Sequence, residues 1–391
     1  MKRMAVRGLL LGFLLGLVLV TSGAVPRRRG SAGGNGLYRS LGTFSEVLSL
    51  VEGNYVEPVE SRKLFEGAFS GVTGALDPSC DYIPAEKLAD FRRAIEKPGI
   101  GVGAVLGRRA GFASVTSVFP GGPAAEAKLR GGEILEAIDG RATRGLALWE
   151  AESALTGAEG SQVKITFLRP GKTKRENATL TRRPVSIPAP EVEEKEGVVV
   201  FRPYVVDARA AARLDETLAK GPAALVLDLR GTSGGEVEPA AAFAARLSGG
   251  TVAFACEVVR RGEAKSYRTP SWGGSVWKGP LAVLIGSGTS GSAELLAQFL
   301  VSTTRGKSVG ENTAGVAGLR RLVPLPSGGA LYLTVTRFRA DGATEAIAGE
   351  GLEPQEEIWS SMEAEGEGKD PVLNRALDIL LGAERAKKKA A

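Results

Sequence analysis

Two stretches of the chain, AALVLDL at 223–229 and LAVLI at 281–285, are apolar at nearly every position over the length of a strand. A strand with one wet face alternates apolar and polar residues, so a strand that is apolar throughout is covered on both sides. Amphipathic helical spacing follows each of them, at 240–247 and 294–301. Covered strands alternating with such helices predict a layered α/β core. Leu331-Tyr332-Leu333-Thr334-Val335 adds an alternating strand and 371–381 reads as a closing helix, which sets the core at 185–382. Residues 383–391, with Lys387, Lys388 and Lys389, read as a solvated basic tail.

The 391 residues leave room for further domains before this core. Residues 25–36 are a basic, glycine-rich linker. Over 37–97, Leu41, Phe44, Val47, Leu48 and Val51, and then Leu64, Phe65, Ala68, Phe69 and Val72, recur at helical steps and predict a small helical domain. Over 98–184 the texture changes to short β-rich runs punctuated by glycine. Gly101-Val102-Gly103-Ala104 precedes a strand, Gly122-Pro123-Ala124-Ala125 opens a short helix, and a second helix and a last strand follow at 147–155 and 162–168. This order of elements resembles a PDZ domain of the bacterial protease type, with Gly101, Val102, Gly103 and Ala104 where that family binds a chain-terminal carboxylate. Glycines let consecutive amides converge on an anion, and an exposed strand edge accepts a peptide as an added strand. A plain glycine-rich turn is the competing reading. The expected fold class is therefore α/β and multi-domain: an N-terminal helical domain, a β-rich PDZ-type domain and an α/β core.

Residues 1–24 carry Lys2, Arg3 and Arg7, then an apolar run, then Ser22-Gly23-Ala24. A secretory signal peptide has this order, and a retained membrane anchor is the alternative, since 8–25 is just long enough to span a bilayer. Either way the folded part is expected outside the cytoplasm, in the periplasm or cell envelope, with membrane contact only through an uncleaved N-terminal segment. The net charge of +6 falls by three if those residues are removed, which is too weak a balance to argue for nucleic acid. Cys80 and Cys256, the only cysteines, read either as a pair or as free, small hydrophobes.

The chain has no histidine. Ser-His-Asp triads, Cys-His pairs and His-ligated zinc are thereby excluded, and acid–base chemistry falls to Lys, Asp, Glu or Tyr. No metal cluster, nucleotide loop or flavin signature is visible, so neither metal nor cofactor is expected.

Further motifs connect the domains. Asn54-Tyr55-Val56, Leu76-Asp77-Pro78, Asp228-Leu229-Arg230 with Gly234-Gly235, Asp341-Gly342 and Gly351-Leu352-Glu353-Pro354 occur in that order. The whole resembles the C-terminal processing (tail-specific) peptidases, which join a PDZ domain to an α/β core and use a Ser/Lys dyad. The resemblance implies that the nucleophilic serine precedes a helix-opening glutamate by three residues. In Thr289-Ser290-Gly291-Ser292-Ala293-Glu294 that position is Gly291. It further implies a general-base lysine within a Gly-Glu-x-Thr-x-Gly-Lys-Gly motif. In Gly310-Glu311-Asn312-Thr313-Ala314-Gly315-Val316-Ala317 that position is Val316, and the supporting glutamine four residues on is Arg320. Glycine has no side-chain hydroxyl and the valine side chain accepts no proton.

The leading expectation is an exported member of this family that binds protein C-termini through its PDZ domain and cuts them weakly or not at all, as an adaptor or a competitor beside an active homologous protease. The alternative is an active serine endopeptidase with a relocated nucleophile, Ser292 or Ser290, and Lys307 as the nearest lysine in sequence. A third reading is a structural envelope protein with a vestigial groove. Gly234 and Gly235 are candidate oxyanion-hole residues, although a tight turn after a buried strand needs the same glycines.

Overall fold

The computed structural model describes residues 33–77, 79–96, 100–169, 171–303, 306–359 and 370–390. The segment read as a signal peptide or anchor lies outside them, as does most of the linker. The chain divides into two compact units at residues 68 and 69.

The first unit contains α1 (Gly33–Asn54) and the start of α2 (Ser61–Gly74). Phe44 and Phe65 meet at 6.2 Å between ring centroids. Most large apolar side chains of α1 remain exposed.

The second unit begins with the rest of α2, then β1 (Asp81–Ile83) and α3 (Leu88–Glu96). The β-rich domain follows: β2 (Ala104–Arg109), β3 (Phe112–Val118), α4 (Pro123–Glu126), β4 (Ile134–Ile138), β5 (Arg141–Ala142), α5 (Leu148–Leu155), β6 (Gln162–Leu168) and β7 (Arg175–Thr181). Its sheet runs β2-β3-β4-β6-β7, which leaves β2 on an edge. Val115, Leu135, Ile138, Val163, Ile165 and Phe167 fill its core, and the alternation of Val163, Ile165 and Phe167 with polar neighbours gives β6 its single buried face.

The peptidase-like core contains β8 (Glu191–Lys195), β9 (Val198–Arg202), α6 (Ala208–Leu218), β10 (Ala224–Asp228), α7 (Val237–Ser248), β11 (Ala253–Val259), β12 (Ser266–Arg268), β13 (Leu281–Ile285), α8 (Ser292–Thr303), β14 (Lys307–Gly310), β15 (Gly318–Pro324), β16 (Ala330–Ala340), β17 (Glu356–Glu357) and α9 (Pro371–Ala390). The central sheet has the order β17-β14-β13-β10-β9-β8, and β9 to β17 are parallel. The two continuous apolar stretches are its middle strands, buried at every residue. Leu225, Leu227, Val283 and Ile285 face α6, α7 and α8, whereas Ala224, Val226, Ala282 and Leu284 face α9. Side chains that alternate between two covered faces explain why neither stretch contains an exposed polar break. A second, antiparallel sheet is built on β16, which pairs with β1, β11 and β15. Both cysteines are free.

An ion cluster ties this core to α9. Asp228, 1% exposed, accepts from Arg202 (3.0 and 3.1 Å) and from Arg230 (2.8 and 2.9 Å). Arg230 also grips Asp370 with two bonds of 2.9 and 2.7 Å, and Asp370 caps α9 through the Leu373 amide. Burial alone would raise the Asp228 carboxyl, but the two guanidinium groups outweigh it and hold the group at about 2. A carboxyl so depressed stabilises the fold above its unfolded value of 3.8 and gives up that contribution as pH falls toward 2. Asp228→Asn is expected to cost roughly 3–5 kcal/mol at neutral pH, because it leaves buried guanidinium groups uncompensated. Urea unfolding at several pH values checks both points; equal stability of variant and parent near pH 7 would contradict them.

Candidate functional site

The C-terminal ends of parallel strands are where loops converge in an open α/β sheet. After β10 the chain turns through residues 231–235, and after β13 through residues 286–291. The turns are stitched together: Thr289 Oγ1 donates to the Leu229 carbonyl at 2.8 Å, the Ser290 amide to the Thr232 carbonyl at 3.1 Å, and Thr232 Oγ1 to the Pro203 carbonyl. Gly234 and Gly235 both have positive φ, 69° and 94°. A side chain at Gly235 would put its Cβ 2.6 Å from Ser292 Oγ, so close approach as well as conformation requires glycine there.

Gly291 (φ 66°) faces this pair, and a Cβ on it would sit 3.4 Å from Gly234 Cα. It is the N-cap of α8. Glu294, three residues on, reaches back to the Gly291 amide at 3.0 Å, which is one half of a capping box. The same carboxylate accepts from the Gly315 amide (2.6 Å), the Val316 amide (2.9 Å) and Thr313 Oγ1 (2.5 Å). Gly291 and Val316 therefore bond, through their amides, to one oxygen of one side chain. Glu294 is wholly buried; burial raises its carboxyl and the four donors pull against that rise.

The remaining candidates are dispersed. Ser292 Oγ is engaged as a donor to the Gly234 carbonyl at 2.8 Å. Ser290 is buried beside it. Lys307 is exposed and opens β14 opposite Ala282, at the N-terminal end of the sheet, whereas Gly310 opposite Ile285 marks the end at which the loops gather. Three residues of strand, roughly 10 Å, separate the two ends. Arg320 lies in β15 with its guanidinium 5.5 Å from the centre of the Tyr332 ring. Beside Gly291 and Ser292 a cleft of about 220 Å³ opens, with Val237, Tyr267, Leu319 and Phe338 as its apolar walls.

The second candidate site is the loop before β2. The carbonyls of Ile100, Gly101, Val102 and Gly103 accept from the amides of Gly157, Arg183, Ala124 and Phe119 at 2.8–3.2 Å. Four successive carbonyls are thus turned inward, and Val102 anchors the loop in the core. Among the described residues the amides of Gly101, Val102 and Gly103 have no partner. Ala104 then starts β2, whose outer edge is unpaired and whose neighbour is α5. Unpaired amides at the end of a free edge suit a carboxylate followed by an extended chain.

The two sites are mechanically connected. Ser117 Oγ on β3 donates to the Gly231 carbonyl at 3.0 Å, at the head of the glycine turn. Arg108 on β2 bonds Asp81 on β1 at 3.1 Å, Lys87 bonds Glu150 on α5 at 2.8 Å, and Phe91 packs edge-on against Trp149 and Tyr332. Burial raises the Asp81 carboxyl to about 6 in spite of Arg108.

Sequence reasoning used Glu294 only as a marker for its neighbours. The glutamate three residues after the helix-opening glycine was a visible capping signal; its other partners, two amides and a threonine hydroxyl twenty residues away, carried none. The walls Val237, Tyr267, Leu319 and Phe338 were likewise unmarked.

Residues 202–358 match Peptidase family S41, and residues 114–169 match a PDZ domain. The carboxy-terminal-processing protease of Bartonella bacilliformis is 26% identical over 357 residues, which cover 87% of this chain and 80% of that protein. The chloroplastic C-terminal processing peptidase of Tetradesmus obliquus is 28% identical over 315 residues, 74% of this chain and 67% of that one. Among solved structures, the photosystem II D1 C-terminal processing protease aligns with a TM-score of 0.62 at 24% identity, over 81% of this chain and 92% of its own.

Replacing Glu294 by Ala leaves four inward-facing donors without their acceptor. At roughly 1–3 kcal/mol for each donor stranded away from water, a loss of at least about 3 kcal/mol is expected, with Glu294→Gln intermediate. Denaturant unfolding measures this, and a loss below about 1 kcal/mol for the alanine variant would contradict the assigned role.

Proposed function

We propose that this chain, which belongs to peptidase family S41 and carries a PDZ domain, is an exported protein that captures the C-termini of other proteins and does not hydrolyse them at a useful rate. The observation that carries the reading is the pair Gly291 and Val316, joined through the buried Glu294, with Gly291 in the lining of the cleft. By resemblance these are the positions of the nucleophile and its base, and they hold a residue without a hydroxyl and one without an amine. The chain has no histidine to substitute for a lysine. Lys307 stands at the other end of the sheet. A Ser292 hydroxyl that already donates to a carbonyl has its proton committed there rather than to a base. Amides of the glycine turn and binding alone would leave an acceleration of roughly 10³–10⁴ over water, far short of a working protease.

Capture follows from the groups that remain. A terminal carboxylate meets the free amides of Gly101, Val102 and Gly103, and the chain before it adds to the edge of β2. The cleft beside Gly291 offers apolar side chains a wall of Val237, Tyr267, Leu319 and Phe338. Such a protein would shield tails or compete for them with an active relative. The alternative, hydrolysis from Ser292, rests on that hydroxyl's place in the lining of the same cleft.

Calorimetry with an unstructured peptide ending in an apolar residue is expected to give binding that weakens at least tenfold on C-terminal amidation, with the peptide recovered intact. Turnover that disappears in Ser292→Ala would contradict the reading. The double variant Gly291→Ser/Val316→Lys is expected to gain measurable cleavage over the parent, at a stability cost of about 1–2 kcal/mol for a non-glycine residue at positive φ.

A further inference from the structure

The free edge of β2 has α5 beside it, running antiparallel to the strand. The end of α5 is tied to the loop before β2 by the Gly157 amide, which donates to the Ile100 carbonyl at 2.9 Å. Its start is tied to the far end of β2 by Arg108, which donates to the Leu146 carbonyl at 3.1 Å. Residues four and three apart on a helix share one stripe, so Leu148, Glu152 and Leu155 form a row along α5. Both leucines pack into the cluster that holds Val102 and Leu106 of the β2 segment. Glu152 thus interrupts an apolar row with a carboxylate. Water reaches its side chain, yet protein surrounds it closely enough that burial lifts the carboxyl to about 7. Among the described residues Glu152 makes no hydrogen bond or ion pair. The charges that face it are Arg320 on β15, which favours its ionised form, and Asp81 on β1, which opposes it. Asp81 is bonded to Arg108, and the Arg320 guanidinium stands over the Tyr332 ring.

A tail docked between β2 and α5 covers Glu152 and takes water from it. An ionised carboxylate treated in this way costs free energy unless a cation comes with the ligand. The tail's own terminal carboxylate brings a further negative charge into the groove and adds to that demand. Position follows from the two repeats. In an added strand alternate side chains face the helix, so the last residue and the one two before it point toward α5. With the terminal carboxylate on the amides of residues 101–103, the last side chain lies by Leu155. Glu152 is roughly 4.5 Å further along the helix. The tail residue two before the last is roughly 6.6 Å further along the strand. The flexible stem of a lysine or arginine spans the difference and carries its charge to the carboxylate. A glutamate at that place would meet a like charge, and an apolar residue would leave Glu152 uncompensated. Resting on the capture reading above, we infer that this groove selects tails with a lysine or arginine two residues before an apolar C-terminal residue, and that Glu152 holds the basic group.

Calorimetry on the full chain at about pH 8, where the Glu152 carboxyl is ionised, tests this with two unstructured peptides. They share an apolar C-terminal residue and differ only two places before it, lysine in one and norleucine in the other. The readout is the ratio of their affinities, which cancels any general effect of a substitution on the groove. Lysine is expected to be favoured about fivefold by the parent, about equally with norleucine by Glu152→Gln, and less than norleucine by Glu152→Lys. The Glu152→Lys variant is expected to favour a third peptide with glutamate at that place. Equal affinities in the parent, or a lysine preference that survives Glu152→Gln, would overturn the inference and leave tail capture standing; a carboxylate that serves only to face Arg320 gives that result. Failure of every peptide to bind would overturn capture itself and the inference with it.

Discussion

One buried carboxylate organises the cleft. Glu294 takes bonds from the Gly291, Gly315 and Val316 amides and from the Thr313 hydroxyl, so it joins the start of α8 to the loop that follows β14. A carboxylate offers about four lone-pair sites, and here four donors fill them. No water is needed to complete the set, which explains how a charged group is accommodated in the core of an apolar helix. The geometry that a catalytic pair would need, two loops fixed at one point, is thus maintained by a residue that is not itself a nucleophile or a base. The brace does not depend on the side chains at 291 and 316, because both residues contribute through their backbone amides.

The same separation of scaffold from chemistry runs through the rest of the core. Arg230 directly precedes the glycine turn and is gripped by Asp228 on the sheet and by Asp370 at the start of α9. The turn is therefore held from below by an ion cluster and from the side by Ser117 of the PDZ domain. Substitutions in these supports would alter stability and the position of the PDZ domain.

Much of this was legible from residues alone. The apolar stretches at 223–229 and 281–285 announced two-sided burial, and the elements of the PDZ domain followed from glycine punctuation and alternation. Other features left no mark. Backbone amides have no residue signature, so the bonds from the Gly315 and Val316 amides to Glu294 were invisible. The place of Lys307 depended on strand direction: nine residues from Val316 in sequence, it begins a parallel strand at whose far end the loops meet. The contact of Arg108 with Asp81 joins residues on separate sheets, and the free state of Cys80 and Cys256 follows from their separate places on the second sheet, Cys80 beside Thr334 of β16 and Cys256 opposite Arg339.

The central claim is that the cleft holds no activated nucleophile. Exposure to a serine-directed fluorophosphonate, followed by intact-mass and peptide-level mass spectrometry, addresses it without assuming a substrate. The account predicts no adduct under conditions that fully label an active serine peptidase. A stoichiometric adduct on Ser292 or Ser290 would contradict it.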